Sequence, residues 1–137
     1  MSYSSTADDL GKLILRLILG ILILFHGVFK IRHGISGIEG MIAGHGLPAF
    51  FGWAVFLGEV LGPILLILGF YARVGGLLVA LNMLVAFTLV HGPQLFHLTG
   101  GGGWQPELQG MYLCTGLAIA LLGAGRFSLG GRNGRFN

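Results

Sequence analysis

The chain has 137 residues, of which 54% are hydrophobic and only 9% charged, against about a quarter charged in typical soluble domains. So few charges could not dress the surface of an ordinary soluble fold, and the length leaves room for a single domain. The net charge of +3 does not mark a nucleic-acid binder, because the eight Lys and Arg are scattered near the ends of apolar runs and read as membrane-topology determinants.

The first apolar run covers residues 10–31 and is interrupted by Lys12, Arg16 and His26. Its stretch LILGILILF has the length of a secretory signal core, but no small-x-small site follows and the run continues into HGVFK, so an uncleaved span is expected. In the connection that follows, Ile35, Ile38 and Ile42 fall at helical spacing, which predicts a short interfacial helix weakened by its glycines. Pro48 suits the start of a second span over residues 49–71, and Pro63 in its interior predicts a kink. The third span is expected over residues 73–91. The four consecutive glycines Gly100–Gly103 then exclude a continued helix. A fourth span is expected over residues 107–125, with the glycine-rich tail GRNGRFN frayed.

These elements predict an all-α fold: one integral membrane four-helix bundle, up-down-up-down. An even number of crossings puts both termini on one side. Lys12, Arg16, Arg73, Arg126, Arg132 and Arg135 lie there and only Lys30 and Arg32 opposite, so the positive-inside bias places the termini in the cytoplasm. Gly58 and Gly62 form a GxxxG pair that serves close packing within the bundle or a dimer face, which leaves a homo-oligomer open. Trp53 and Trp104 read as interface-belt residues. The single cysteine, Cys114, excludes an internal disulfide and reads as small core packing.

Ionisable groups inside hydrocarbon cost at least about 2.5 kcal/mol near the midplane, so each asks for a reason. Glu59 lies too deep in the second span for its short carboxylate to reach water, so it is protonated, paired or facing a wet cavity. On the first span Arg16, His26 and Lys30 fall on one face at about 100° per residue. The long stems of Arg16 and Lys30 can snorkel, whereas the short imidazole of His26 cannot. His91 closes the third span and Glu107 opens the fourth, where a first-turn carboxylate also suits the helix dipole. Asn82, nine residues before His91, projects to the opposite side of a regular helix and is expected to bond across a helix interface instead of joining the site. The histidines and carboxylates carry no Glu-x-x-His or His-x-x-x-His spacing, which argues against a metal or a haem. A pocket that binds a small polar or quinone-like head group and moves protons fits better, with Glu59 and His26 as the proton-handling pair and Lys30, His91, Glu107 and Arg16 as binding residues.

The sequence resembles the DoxX family. The resemblance rests on RLILGILILFHGVFK with Arg16, His26, Gly27 and Lys30, then on Gly46 to Pro48, Glu59 with Gly62, LGFYARVGGLLVALNM, His91, Glu107 and the closing GAGRFSL. Gly130 stands where family members often carry Asp, which bears on a cytoplasmic capping contact and not on the pocket. The resemblance implies an inner-membrane four-helix protein of bacteria or archaea. Relatives are associated with a thiosulfate:quinone oxidoreductase as its small subunit, with quinone or catechol detoxification, and with complexes that handle thiol oxidative stress. The leading expectation is therefore a redox-associated subunit that binds a quinone or another small oxidisable molecule. With no dinucleotide loop and no paired cysteines, its electrons come from the substrate or from a redox protein partner. The alternatives are a non-enzymatic assembly subunit of an oxidoreductase complex and a small-solute transporter.

Overall fold

A computed structural model describes residues 5–137, and those residues are helical with no named strand. Helix α1 spans Thr6–His33; the Ser5 hydroxyl caps it by accepting from the Asp8 amide at 3.2 Å, and Gly34, at φ 82°, stops it. Helix α2, Ser36–Gly44, is the short helix expected in the first connection, with Ile42 buried. The second apolar segment is built in three pieces: a 3-10 stretch Ala49–Ala54, a π turn Leu57–Leu61, and α3, Gly62–Leu68. Helix α4 covers Ala72–Leu89 and α5 covers Glu107–Leu122.

Three segments, Thr6–His33, Ala49–Leu68 and Ala72–Leu89, are long and apolar enough to cross a membrane. Helix α5 is equally apolar but shorter at 16 residues. It was expected to reach residue 125, and the backbone leaves the helix at Gly123 with φ 80°. The second segment likewise ends earlier than its expected 71, because Gly69 is left-handed with φ 65°.

Helix α4 packs against both α3 and α5, and α1 lies against α3. The core between them holds Leu19, Ile23, Leu66, Val79, Met83, Tyr112 and Ile119. Gly58 and Gly62 face inward onto α4: a Cβ on Gly58 would stand 2.3 Å from the Asn82 Cβ, and one on Gly62 3.1 Å from the Gly75 carbonyl. Close packing within the chain therefore occupies this glycine pair.

At one end, the C-terminal turns of α3 and α5 meet the early turns of α1 and α4, and arginines satisfy the carbonyls those helices leave open. Arg16, with 0% exposure, donates from Nη1 to the Leu66 carbonyl at 2.7 Å, from Nε to Ala124 at 3.1 Å and from Nη2 to Phe127 at 2.6 Å. Arg73 Nη1 donates to the Ala120 and Leu121 carbonyls. Buried Asp9 pairs with Arg132 and accepts from the Arg126 amide at 3.0 Å. The side-chain hydrogen bond to Asp9 raises the Arg132 pKa above its ordinary value.

The tail departs from the frayed end its glycines predict. The Leu129 and Gly130 amides donate to the Leu68 and Gly69 carbonyls, Arg73 N–H donates to the Phe136 carbonyl, and Asn137 is buried. The Asn137 carboxamide oxygen accepts from the Ala72 amide at 3.1 Å, while its Nδ2 donates to the Gly131 carbonyl at 2.7 Å. Composition hid this because glycine-rich chain is usually floppy, whereas here the tail supplies partners for backbone groups around the α3–α4 turn.

Candidate functional site

At the opposite end, the site starts from one residue of the π turn. In a regular helix the Pro63 amide would donate to the Glu59 carbonyl; proline has no N–H, so that bond is missing. The chain widens instead, and the Gly62 amide reaches back five residues to the Leu57 carbonyl. The expected kink is thus a π turn with Pro63 in the first turn of the helix that follows. The Glu59 carbonyl faces α1 at Gly27, where a Cβ would stand only 2.1 Å from that oxygen. Glycine at 27 is therefore what lets α1 reach the acid's own backbone.

Glu59 is 7% exposed and both of its oxygens are partnered. Lys30 Nζ donates to Oε2 at 2.5 Å, and Asn82 Nδ2 donates to Oε1 at 3.3 Å. An ammonium and a carboxylate in contact, with the second oxygen held by an amide, offset much of the cost of removing the charges from water. Three elements meet at this carboxylate: α1 through Lys30, the π turn through Glu59, and α4 through Asn82.

The pair borders a cavity of about 500 Å³, within the size range of small-molecule sites. Most of its wall is apolar, from Ile23, Ile42, Leu78, Leu81, Val85 and Leu89 among others. Its polar lining comprises His26, Lys30, Glu59, Asn82, His91, Gln109 and Tyr112. His91 Nδ1 is 2.7 Å from the Gln94 Oε1, which orients the imidazole.

Of the residues expected at the site, His26, Lys30, Glu59 and His91 line this cavity. Arg16 and Glu107 do not. Arg16 lies at the other end of α1, fully engaged with main-chain carbonyls. Glu107 is exposed on a separate open cavity beside Trp104 and Cys114. Cys114 is exposed there too, in place of the packing role expected of it.

Asn82 corrects the helical projection: it bonds across the interface as expected, yet it shares the cavity with His91. The regular helix stops at Leu89, and the His91 amide reaches back five residues to the Ala86 carbonyl. A projection at 100° per residue does not hold across that break. Tyr112 and Gln109, on the first turns of α5, were not anticipated. Their signal is the i, i+3 spacing of two polar residues on the same face as buried Gly116 and Ile119.

A model of the DoxX family matches residues 11–92, which include Lys30, Glu59, Asn82 and His91. Over 116 residues the chain is 29% identical to a protein of Bacillus subtilis (strain 168) named "Putative oxidoreductase CatD", an alignment covering 85% of this chain and 81% of the relative. No solved structure matches the chain.

Proposed function

The chain belongs to the DoxX family, and on that premise we propose that it is a membrane-embedded redox subunit binding a quinone or a similar small oxidisable molecule in the cavity beside Glu59. The observation that carries this reading is the half-buried Lys30–Glu59 ion pair at the edge of a largely apolar chamber of about 500 Å³. An apolar wall takes a ring, and the few polar groups fix its oxygen. Lys30 is placed to polarise a ligand oxygen. Glu59, freed from Lys30 as the ligand engages the ammonium, takes up or returns the proton of that oxygen. His26 serves a second proton in the same chamber. Reducing a quinone to its quinol consumes two electrons with two protons, and the electrons come from a redox protein partner. The description of the relative as an oxidoreductase supports this reading.

In this reading the four apolar segments form an up-down-up-down bundle in the bacterial or archaeal inner membrane, with the arginine-rich end in the cytoplasm and the cavity toward the outer face. The test is titration of the purified protein in detergent with tetramethyl-para-benzoquinone, followed by intrinsic fluorescence. Saturable binding that falls about tenfold in Glu59→Gln is expected, since a bond to a charged group contributes about 1.5–3 kcal/mol. No binding, or binding indifferent to that substitution, would overturn the reading.

A further inference from the structure

Among the described residues, three polar side chains in the cavity have no hydrogen-bond partner: His26 on α1, and Gln109 and Tyr112 on α5. Tyr112 is the most telling, because the residue is only 9% exposed while its hydroxyl is not sealed off and keeps access to the cavity it lines. Its ring meets the His26 imidazole edge-on, with centroids 6.4 Å apart and planes at 75°. Gln109 lies one turn before Tyr112 on the same helix and opens onto the same space.

Apart from His91, which is bonded to Gln94, the polar lining thus divides in two. Asn82, Glu59 and Lys30 form one group whose hydrogen bonds satisfy one another. His26, Tyr112 and Gln109 form a second group, centred on His26 one turn down α1 from Lys30, whose capacity is unspent. Four residues of helix separate Lys30 from His26 by about 6 Å along the axis, so one ring can present an oxygen to each group.

We propose that Tyr112 and Gln109, together with His26, form a second polar pole of the cavity, and that the site takes a ring bearing two oxygens, one at Lys30–Glu59 and one at this pole. The inference rests on the proposed quinone-binding function and goes further by adding two binding residues, which hold the second oxygen. At this pole the Tyr112 hydroxyl and the Gln109 amide donate to a ligand oxygen or accept from its hydroxyl. His26 receives or supplies a proton through that contact.

The experiment compares two probes under anaerobic conditions, tetramethylhydroquinone and the tetramethylphenol that lacks one hydroxyl, by calorimetric titration of the purified protein. Tyr112→Phe, which keeps the ring, and Gln109→Leu are each expected to weaken the hydroquinone about tenfold, while the phenol, held at the Lys30–Glu59 pole, changes less than about twofold. Hydroquinone affinity unaltered in both variants overturns the second pole, as does an equal loss for both probes, which would mark a packing role. Those results leave the proposed function standing if the wild type still binds hydroquinone in a Glu59-dependent way. Failure of the wild type to bind either probe removes both.

Discussion

Arg16 and Lys30 sit on one face of the same helix, both cations among apolar residues, yet their surroundings differ in kind. Arg16 spends its guanidinium on main-chain carbonyls from α3 and from the chain after α5, and it does not line the cavity beside Glu59. Lys30 has a carboxylate for a partner, and the pair faces an open chamber with uncommitted polar groups on its other wall. A buried charge in a membrane-type helix is therefore not by itself a site. It becomes one where hydrogen-bonding capacity and empty volume coincide.

The largest expected effect lies at the Arg16 end. Arg16→Met removes the donor that the Leu66, Ala124 and Phe127 carbonyls share and is expected to cost about 3 kcal/mol or more, seen as a lower unfolding temperature in detergent; a loss below about 1 kcal/mol would undo the contrast drawn above. Lys30→Met is expected to cost about 3 kcal/mol as well, because it strands the Glu59 charge. Here the double variant Lys30→Met/Glu59→Met should recover most of that stability while abolishing ligand binding, whereas Arg16 has no single partner whose removal can compensate.

Gly27→Ala forces a methyl onto the Glu59 carbonyl. A loss of about 1–3 kcal/mol is expected, together with weaker quinone binding as the acid is pushed off Lys30, and both are measurable on one preparation. Asn137→Ala removes contacts to Ala72 and Gly131. It should cost only about 1 kcal/mol and leave quinone binding untouched, because the tail braces the end away from the cavity.

The long apolar segments, the short helix after α1 and the burial of Glu59 were legible because long apolar runs and isolated charges within them leave few physical options. That His26, Lys30 and His91 would line one chamber with Glu59 followed from their common level in the spans. What escaped depended on backbone detail. Pro63 announces an interruption in the sequence but not its form, and a π turn and a kink read alike. Asn82 was turned away from the site by a helical projection carried two residues past the end of α4. Tyr112 and Gln109 raised no alarm because neither is charged. The tail looked loose because glycine content speaks of freedom in the unfolded chain and not of the carbonyls and amides waiting to receive it.

The π turn at Leu57–Leu61 also means that this stretch of chain carries one residue more than an α-helix of the same rise would need. Removing a single residue there would let the spiral heal and swing the carboxylate about 100° around its axis, away from the ammonium. Where the acid points is thus encoded in residue count as much as in residue type, so a gap of one in this stretch changes more than many substitutions that preserve its length.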